Sequence, residues 1–224
     1  MRILAIPDLQ IPFHHPYALT FLKRVRDEYN TDTTVCVGDE WDNCALSRYP
    51  KDPDGLSAGD EHKRAKRASR GFYEEFPVVL LCNSNHRDRL YKRAYEAGIP
   101  EEYIKDTSGY MGSPPGWVWA DQWRIDGITI EHGDRASGAS TGEKLIDANH
   151  SSVVYGHHHD CPGITYRRKN NRTLFAMNVG CLIDENSYAM SYAKHNRSKP
   201  VLSCGVILDG VPHIIPMIKG GRTR

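Results

Sequence analysis

The sequence predicts an α/β fold. Three observations predict it: short, continuously apolar runs recur along the chain, amphipathic helical patterns fill the gaps between the first of them, and polar residues follow each run at once. Runs of Val, Ile and Leu without polar alternation suit strands covered on both faces. Strands that alternate with helices build a largely parallel sheet joined by right-handed crossovers.

The elements follow in chain order. Arg2 to Ile6 is the first apolar run and ends at Pro7-Asp8. A helical pattern opens at Pro16 and continues through Glu28. Thr33 to Val37 is the second strand, followed by Gly38-Asp39, and a basic helix is expected over Asp60 to Glu75. Pro77 to Cys82 leads into Asn83-Ser84-Asn85-His86, with a helix from His86 to Ala97. The Pro/Gly-rich stretch from Thr107 to Asp126 reads as an insertion, whose Trp117, Trp119 and Trp123 suit core or lid packing, with base stacking as the alternative. Gly127 to Glu131 runs into His132-Gly133-Asp134. Ser140 with Glu143 forms a capping-box pattern for a helix through Ala148. Ser152 to Tyr155 is followed by Gly156 and three histidines. Leu174 to Asn178, Gly205 to Leu208 and Val211 to Met217 complete the strands, and Asp209-Gly210 is a hairpin turn between the last two.

Bulk composition narrows the class. The 224 residues are 39% hydrophobic and 25% charged, ordinary for a globular chain that we read as one domain over residues 1–224. A formal net charge of +1 supplies no overall field for nucleic acid or membrane. No apolar run reaches transmembrane length and the start shows no signal-peptide pattern. The six cysteines show no paired CxxC spacing, and Cys36 and Cys82 lie in apolar runs, which points to reduced thiols and a cytoplasmic setting.

Sites in open α/β sheets gather at the carboxyl ends of the strands. The polar residues there, Asp8, Asp39, Asn85, His132 and the 157–159 histidines, are therefore expected in one place. Carboxylates, an amide oxygen and imidazoles form a hard-to-borderline donor set that suits Mn, Fe or Zn better than a thiolate-selecting metal. Taken alone, His132 would be a structural histidine and Asp39 a turn former. The joint pattern argues for ligands.

The segments PDLQ, GDEWD, NSNHRD, EHGD and GHHHD resemble the five blocks of the calcineurin-like metallophosphoesterases: D-x-H, GDxxD, GNH followed by an acid, HG and GHxH. The resemblance covers residues 8 to 159 and implies two packed mixed β-sheets flanked by helices. It implies two divalent cations, Mn²⁺ first, with Fe, Zn or Ni as the other candidates. One would be held by Asp8, Gln10, Asp39 and His159, the other by Asp39, Asn85, His132 and His157, with Asp39 shared. His86 matches the histidine beside the scissile phosphate, a proton donor to the leaving oxygen or a stabiliser of its charge, and Asp42 would orient it. His158 should point away, because alternate positions of an extended loop face opposite ways.

Three departures shape the substrate reading. Gln10 replaces the usual histidine, a variant shared with the manganese-dependent ADP-ribose and CDP-alcohol hydrolases. Ser84 replaces the glycine before Asn85, and Arg87 replaces the acid after His86, with Asp88 one residue on. Asn43 also stands where phosphoprotein phosphatases carry a phosphate-gripping arginine, which disfavours that branch. The resemblance thus implies hydrolysis of a phosphodiester, on a nucleotide or nucleic acid, by a di-metal activated hydroxide. The alternatives are a hydrolase of nucleoside diphosphate-linked compounds, favoured by Gln10, and a non-catalytic metal-binding scaffold. Arg87 and His14 are the candidate substrate contacts, His14 and His15 being read as loop histidines near the pocket mouth. Basic clusters at Lys63, Arg64, Lys66, Arg67 and Arg70, at Arg87, Arg89, Lys92 and Arg93 after His86, and at a hairpin tip of Arg167, Arg168, Lys169 and Arg172, are either solvated faces or a phosphate-tracking surface. By analogy with small members of the family, a bacterial cytoplasm, or a host cytoplasm for a phage-encoded protein, is expected.

Overall fold

The computed structural model describes residues 1–169, 171–187 and 198–218. Its first sheet contains β1 (Arg2–Ile6), β2 (Thr33–Cys36), β3 (Val79–Cys82) and β4 (Trp117–Ala120), all parallel, and is extended by the antiparallel β10 (Ser203–Leu208) and β11 (Val211–Pro216). The spatial order is β11-β10-β1-β2-β3-β4. A second sheet holds β5 (Gln122–Ile125), β6 (Ile128–Glu131), β7 (Ser152–Tyr155), β8 (Gly163–Lys169) and β9 (Arg172–Asn178) in the order β5-β6-β7-β9-β8. There β6, β7 and β9 run parallel, and β5 and β8 pair antiparallel at the edges. The helices are α1 (Ala18–Tyr29), α2 (Ala58–Glu75), α3 (Arg89–Glu96), α4 (Thr107–Met111) and α5 (Thr141–Asn149).

Strand alternation explains why the apolar runs are unbroken. Along β1, Ile3 and Ala5 enter the core between the two sheets, where they meet Ile130, Val154 and Met177. Leu4 and Ile6 point the other way, against Phe21, Leu22 and Phe72 of α1 and α2. Successive side chains face opposite sides of a strand, so a strand covered on both sides must be apolar throughout. In the second sheet Val154 joins the inter-sheet core, whereas Val153 and Tyr155 pack on Leu145 and Ile146 of α5. Helix α1 buries Ala18, Phe21, Leu22 and Val25, the i, i+3, i+4, i+7 stripe of an amphipathic helix. Removing the fully buried Ile3 side chain to alanine would cost about 2–5 kcal/mol.

The structure departs from the sequence reading in several places. The stretch read as an insertion contains α4, β4 and β5, and all three of its indoles are committed to the protein. Trp117 Nε1 donates to Phe76 O, Trp119 Nε1 to Glu40 Oε1 and Trp123 Nε1 to Leu81 O, each at 2.8–2.9 Å, so base stacking by a free indole is corrected to packing. The basic hairpin tip expected at residues 167–172 joins β8 to β9, although β8, an edge strand rich in exposed polar residues, gives no apolar run of its own. Helix α5 begins at Thr141 without a side-chain cap from Ser140, so the capping box is not made. The helix expected from His86 starts at Arg89, after a turn over residues 85–88. The Asp209-Gly210 turn joins β10 to β11 with both residues at positive φ, 50° and 85°. No helix among the described residues is long and apolar enough to cross a membrane.

Candidate metal centre

Five strands deliver the candidate ligands from their carboxyl ends: β1 to Asp8 and Gln10, β2 to Asp39, β3 to Asn85, β6 to His132, and β7 to His157 and His159. The loops after β1 and β2 are zipped together by Gln10 N donating to Asp39 O and Ile11 N donating to Glu40 O, both at 2.9 Å. Gln10, Asp39, Asn43 and His157 all have φ between 50° and 68°, a region that costs a side-chain-bearing residue energy. Such outliers cluster where a site over-determines its backbone.

Two glycines are needed for close approach. A Cβ on Gly38, which has φ 110°, would lie 2.9 Å from Ser84 Cβ and 3.0 Å from His132 Nδ1. One on Gly156 would collide with the Asp8 carboxylate and Val37.

His132 is buried, and its Nδ1 lies 3.0 Å from Val37 O. That carbonyl can only accept, so Nδ1 carries a proton and Nε2 faces the site. Nε2 is 2.9 Å from Asn85 Oδ1, 3.4 Å from Asp39 Oδ2 and 3.3 Å from His157 Nδ1. One ligand atom each from Asp39, His132 and His157 lies within 4.8 Å of the others. On the other side of Asp39, Asp8 Oδ2 accepts from the His157 backbone N–H at 3.0 Å and stands 2.9 Å from His159 Nε2. Gln10 Nε2 donates to Asp39 Oδ2 at 3.1 Å.

The electrostatics match a ligand set. Burial pushes the Asp39 carboxyl up, but His132 and His86 outweigh it and hold it well below the usual range. Burial would push His132 down, yet Asp39 raises it to about 10. The pair therefore shares a tightly held proton of the kind a cation displaces. Burial likewise works against a charged His159, and the Asp8 carboxylate raises it instead. His157, dominated by burial and then by His132, is lowered. Asp8 Oδ1 and Gln10 Oε1 are buried with no hydrogen-bond partner among the described residues. Two orphaned buried oxygens are costly unless something electropositive meets them. Divalent cations fit this donor set.

Around the cluster, the structure rearranges some expected contacts. His86 has its backbone N–H on Asp39 Oδ1 at 3.2 Å and its Nε2 3.7 Å from Asp39 Oδ2. Its Nδ1 is 3.8 Å from Asp42 Oδ1 and makes no hydrogen bond, so the expected direct Asp42–His86 bond is replaced by a relay. Arg89, expected only as one cation of the basic cluster after His86, donates from NH1 to Asp42 Oδ1 at 3.1 Å and to Asp42 O at 2.8 Å, while NH2 lies 2.6 Å from His86 Nε2. Burial, with Arg89 adding to it, lowers His86 to about 3 despite Asp39, and burial raises Asp42 to about 7 despite Arg89. The sequence signals for Arg89 are its place in the basic cluster after His86 and its spacing of three from that histidine, across the turn that opens α3.

Arg87 is engaged, with Nε on Thr107 Oγ1 at 2.8 Å, NH1 on Asp88 and its guanidinium over the Tyr91 ring. His14 is half-buried and edge-on to Phe72 at 5.4 Å, and its Nδ1 has no hydrogen-bond partner among the described residues. His158 turns from the cluster towards Ala136 O, 3.3 Å from its Nε2, and Cys161 is exposed beside Asn178.

No family model matches the chain, and no curated protein matches it either. Among solved structures, the chain is similar to Vps29 from Chaetomium thermophilum, at 11% identity over 98% of this chain and 92% of that one, with a TM-score of 0.50. Similarity at a lower TM-score, 0.46, extends to Yfce, a phosphoesterase from E. coli (14% identity, 95% of this chain and 91% of that one). It also extends to the nuclease MPE from Pseudomonas putida (12% identity, 96% and 86% coverage, TM-score 0.40). The likeness to Vps29 shows the fold, two mixed sheets flanked by helices.

Proposed function

We propose that this chain is a metal-dependent phosphoesterase that hydrolyses a phosphodiester of a nucleotide or nucleic acid. The observation that carries the reading is the pair of orphaned buried oxygens, Asp8 Oδ1 and Gln10 Oε1, beside the Asp39–Asn85–His132–His157 group. Asp8, Gln10, Asp39 and His159 would hold one divalent cation, and Asp39, Asn85, His132 and His157 the other, with Mn²⁺ favoured by the hard oxygen donors. Bound there, such ions would polarise a phosphoryl oxygen and acidify a water.

The chain's own residues do the rest. The Val37 carbonyl fixes the His132 tautomer, and zipped loops fix the Asp39 carboxylate. His86 stands next to Asp39, and its Nε2 takes a hydrogen bond from Arg89 NH2, so the ring would stabilise a leaving oxygen only once that bond opens and Nε2 carries a proton. Asn43, with Nδ2 donating to His86 O at 3.1 Å, braces the backbone where a phosphate-gripping arginine would stand, which supports a diester over a phosphoprotein. Nucleic acid as the substrate is supported by the exposed cations Arg64, Lys66, Arg67 and Arg70 along α2. Residues 1–224 would act as one domain in a cytoplasm, with no membrane partner.

A second reading, hydrolysis of nucleoside diphosphate-linked compounds, is favoured by the unpartnered Gln10 Oε1, an amide oxygen suited to Mn²⁺. The test is turnover by the Mn²⁺-loaded protein of a bis-aryl phosphodiester, the matching monoester and a nucleoside diphosphate sugar. The proposal expects the diester to be fastest. Monoester preference would make the protein a phosphatase, and a fastest diphosphate sugar would select the second reading. Turnover of none by protein carrying its metals would leave a scaffold.

A further inference from the structure

Arg89 is more deeply engaged with the centre than its position on a surface helix requires. Its side chain is 18% exposed. Both NH1 hydrogens are accounted for by Asp42, through the carboxylate at 3.1 Å and the backbone carbonyl at 2.8 Å. NH2 reaches His86 Nε2 at 2.6 Å, the imidazole nitrogen that faces Asp39 Oδ2. One NH2 hydrogen and the Nε–H have no protein partner among the described residues. A clamped guanidinium with donors to spare, touching the group beside the reacting phosphate, has the planar fork that matches two oxygens of a phosphoryl group.

Arg93, one turn further along α3, gives the contrast. It donates from Nε to Leu46 O at 2.9 Å and from NH2 to Ser47 O, tying the same helix to the same loop. It does so through backbone carbonyls and without touching His86. Had α3 needed only an anchor, Arg93 would serve, and Arg89 could end in solvent.

We propose that Arg89 is a substrate-contacting residue, which grips a non-bridging phosphoryl oxygen next to His86 and uses Asp42 as its fixed base. The inference rests on the phosphoesterase reading. It supplies the cation that Asn43 does not, from a different element of the chain. It also changes the role of Asp42, which positions a guanidinium rather than an imidazole.

The test titrates inorganic phosphate into Mn²⁺-loaded protein at fixed ionic strength by calorimetry, with metal content and melting temperature measured for every variant. Arg89→Ala and the more conservative Arg89→Gln, which keeps a donor towards Asp42, should retain both ions and weaken phosphate binding roughly tenfold to a hundredfold. Free guanidinium ion should restore part of the affinity of Arg89→Ala. Arg93→Gln should lower the melting temperature and leave phosphate affinity unchanged. Wild-type affinity in folded, metal-loaded Arg89→Gln would overturn the inference. So would an equal loss in Arg93→Gln, which would show that helix placement alone matters. A metal-loaded wild type that binds no phosphate would sink the phosphoesterase reading itself, so the two failures appear in different proteins.

Discussion

On one side of Asp39 the candidate ligands hold one another, with His132 Nε2 at 2.9 Å from Asn85 Oδ1 and 3.3 Å from His157 Nδ1, and Val37 O bracing the ring from behind. On the other side Asp8 and Gln10 each keep a buried oxygen without a hydrogen-bond partner among the described residues. The first half is preorganised by its own hydrogen bonds. The second leaves Asp8 Oδ1 and Gln10 Oε1 unsatisfied, and each half includes one neutral amide donor, Asn85 in the first and Gln10 in the second. Preorganised ligands lose less freedom on binding an ion, and here that advantage is set against the extra carboxylate, Asp8, of the second half. With preorganisation the larger of the two, the knitted half should fill first and release last, and the pair should differ in affinity although they share a carboxylate.

Breaking the shared element should erase the difference. Asp39→Asn removes the one carboxylate common to both halves and is expected to lose both ions, as read by elemental analysis after desalting. Retention of either ion by this variant would mean that Asp39 does not join the halves. Next in size, His86→Ala should keep both ions and lose turnover of a poor leaving group by about 10²–10⁴-fold. The loss should shrink for an acidic leaving group, and unaltered turnover would remove His86 from the chemistry.

A change confined to the weaker half should sharpen the contrast. Gln10→Ala should weaken only the second Mn²⁺ by about 10–100-fold, and Gln10→His should tighten that ion and raise its preference for zinc. Equal effects on both ions would show that the halves are not separable.

The smallest effect concerns Glu40, which follows Asp39 but belongs to neither half. Burial pushes it from 4.5 to about 7, its Oε1 accepts from Trp119 and its Oε2 has no hydrogen-bond partner among the described residues. The folded state then binds more protons than the unfolded chain between those values. Stability should fall as pH rises from 4.5 to about 7 and level off above. Glu40→Gln should flatten that slope and be more stable than wild type at pH 8 by roughly 1–3 kcal/mol, with no gain near pH 4. An unchanged pH slope would place the titration elsewhere.

The two halves also differ in how readable they were. Asp8, Asp39, Asn85, His132 and His157 could be picked out because each follows an unbroken apolar run, and such runs arise when a strand is covered on both faces. Their convergence followed from the rule that sites form at the carboxyl ends of parallel strands. Strands β4 and β8 were hidden, the one beside Pro114-Pro115 and the other at a solvated edge where polar residues interrupt the apolar signal. The partner of His86 was misread for a different reason. Asp42 has the right spacing for a carboxylate–histidine pair, but Arg89 takes up the carboxylate, and no local pattern records a contact made across 47 residues. The unpartnered state of Gln10 Oε1 is equally tertiary, since it depends on which atoms fail to arrive.

The central claim, that Asp39 joins two unequal cation sites, is tested most directly by anomalous scattering from a crystal grown with Mn²⁺. The account predicts two peaks on opposite sides of Asp39, both within coordinating distance of its carboxylate, with the higher occupancy on the His132 side at limiting metal. No peak within reach of Asp8, Asp39 and His157, or a single peak that stays single at saturating Mn²⁺, would contradict it.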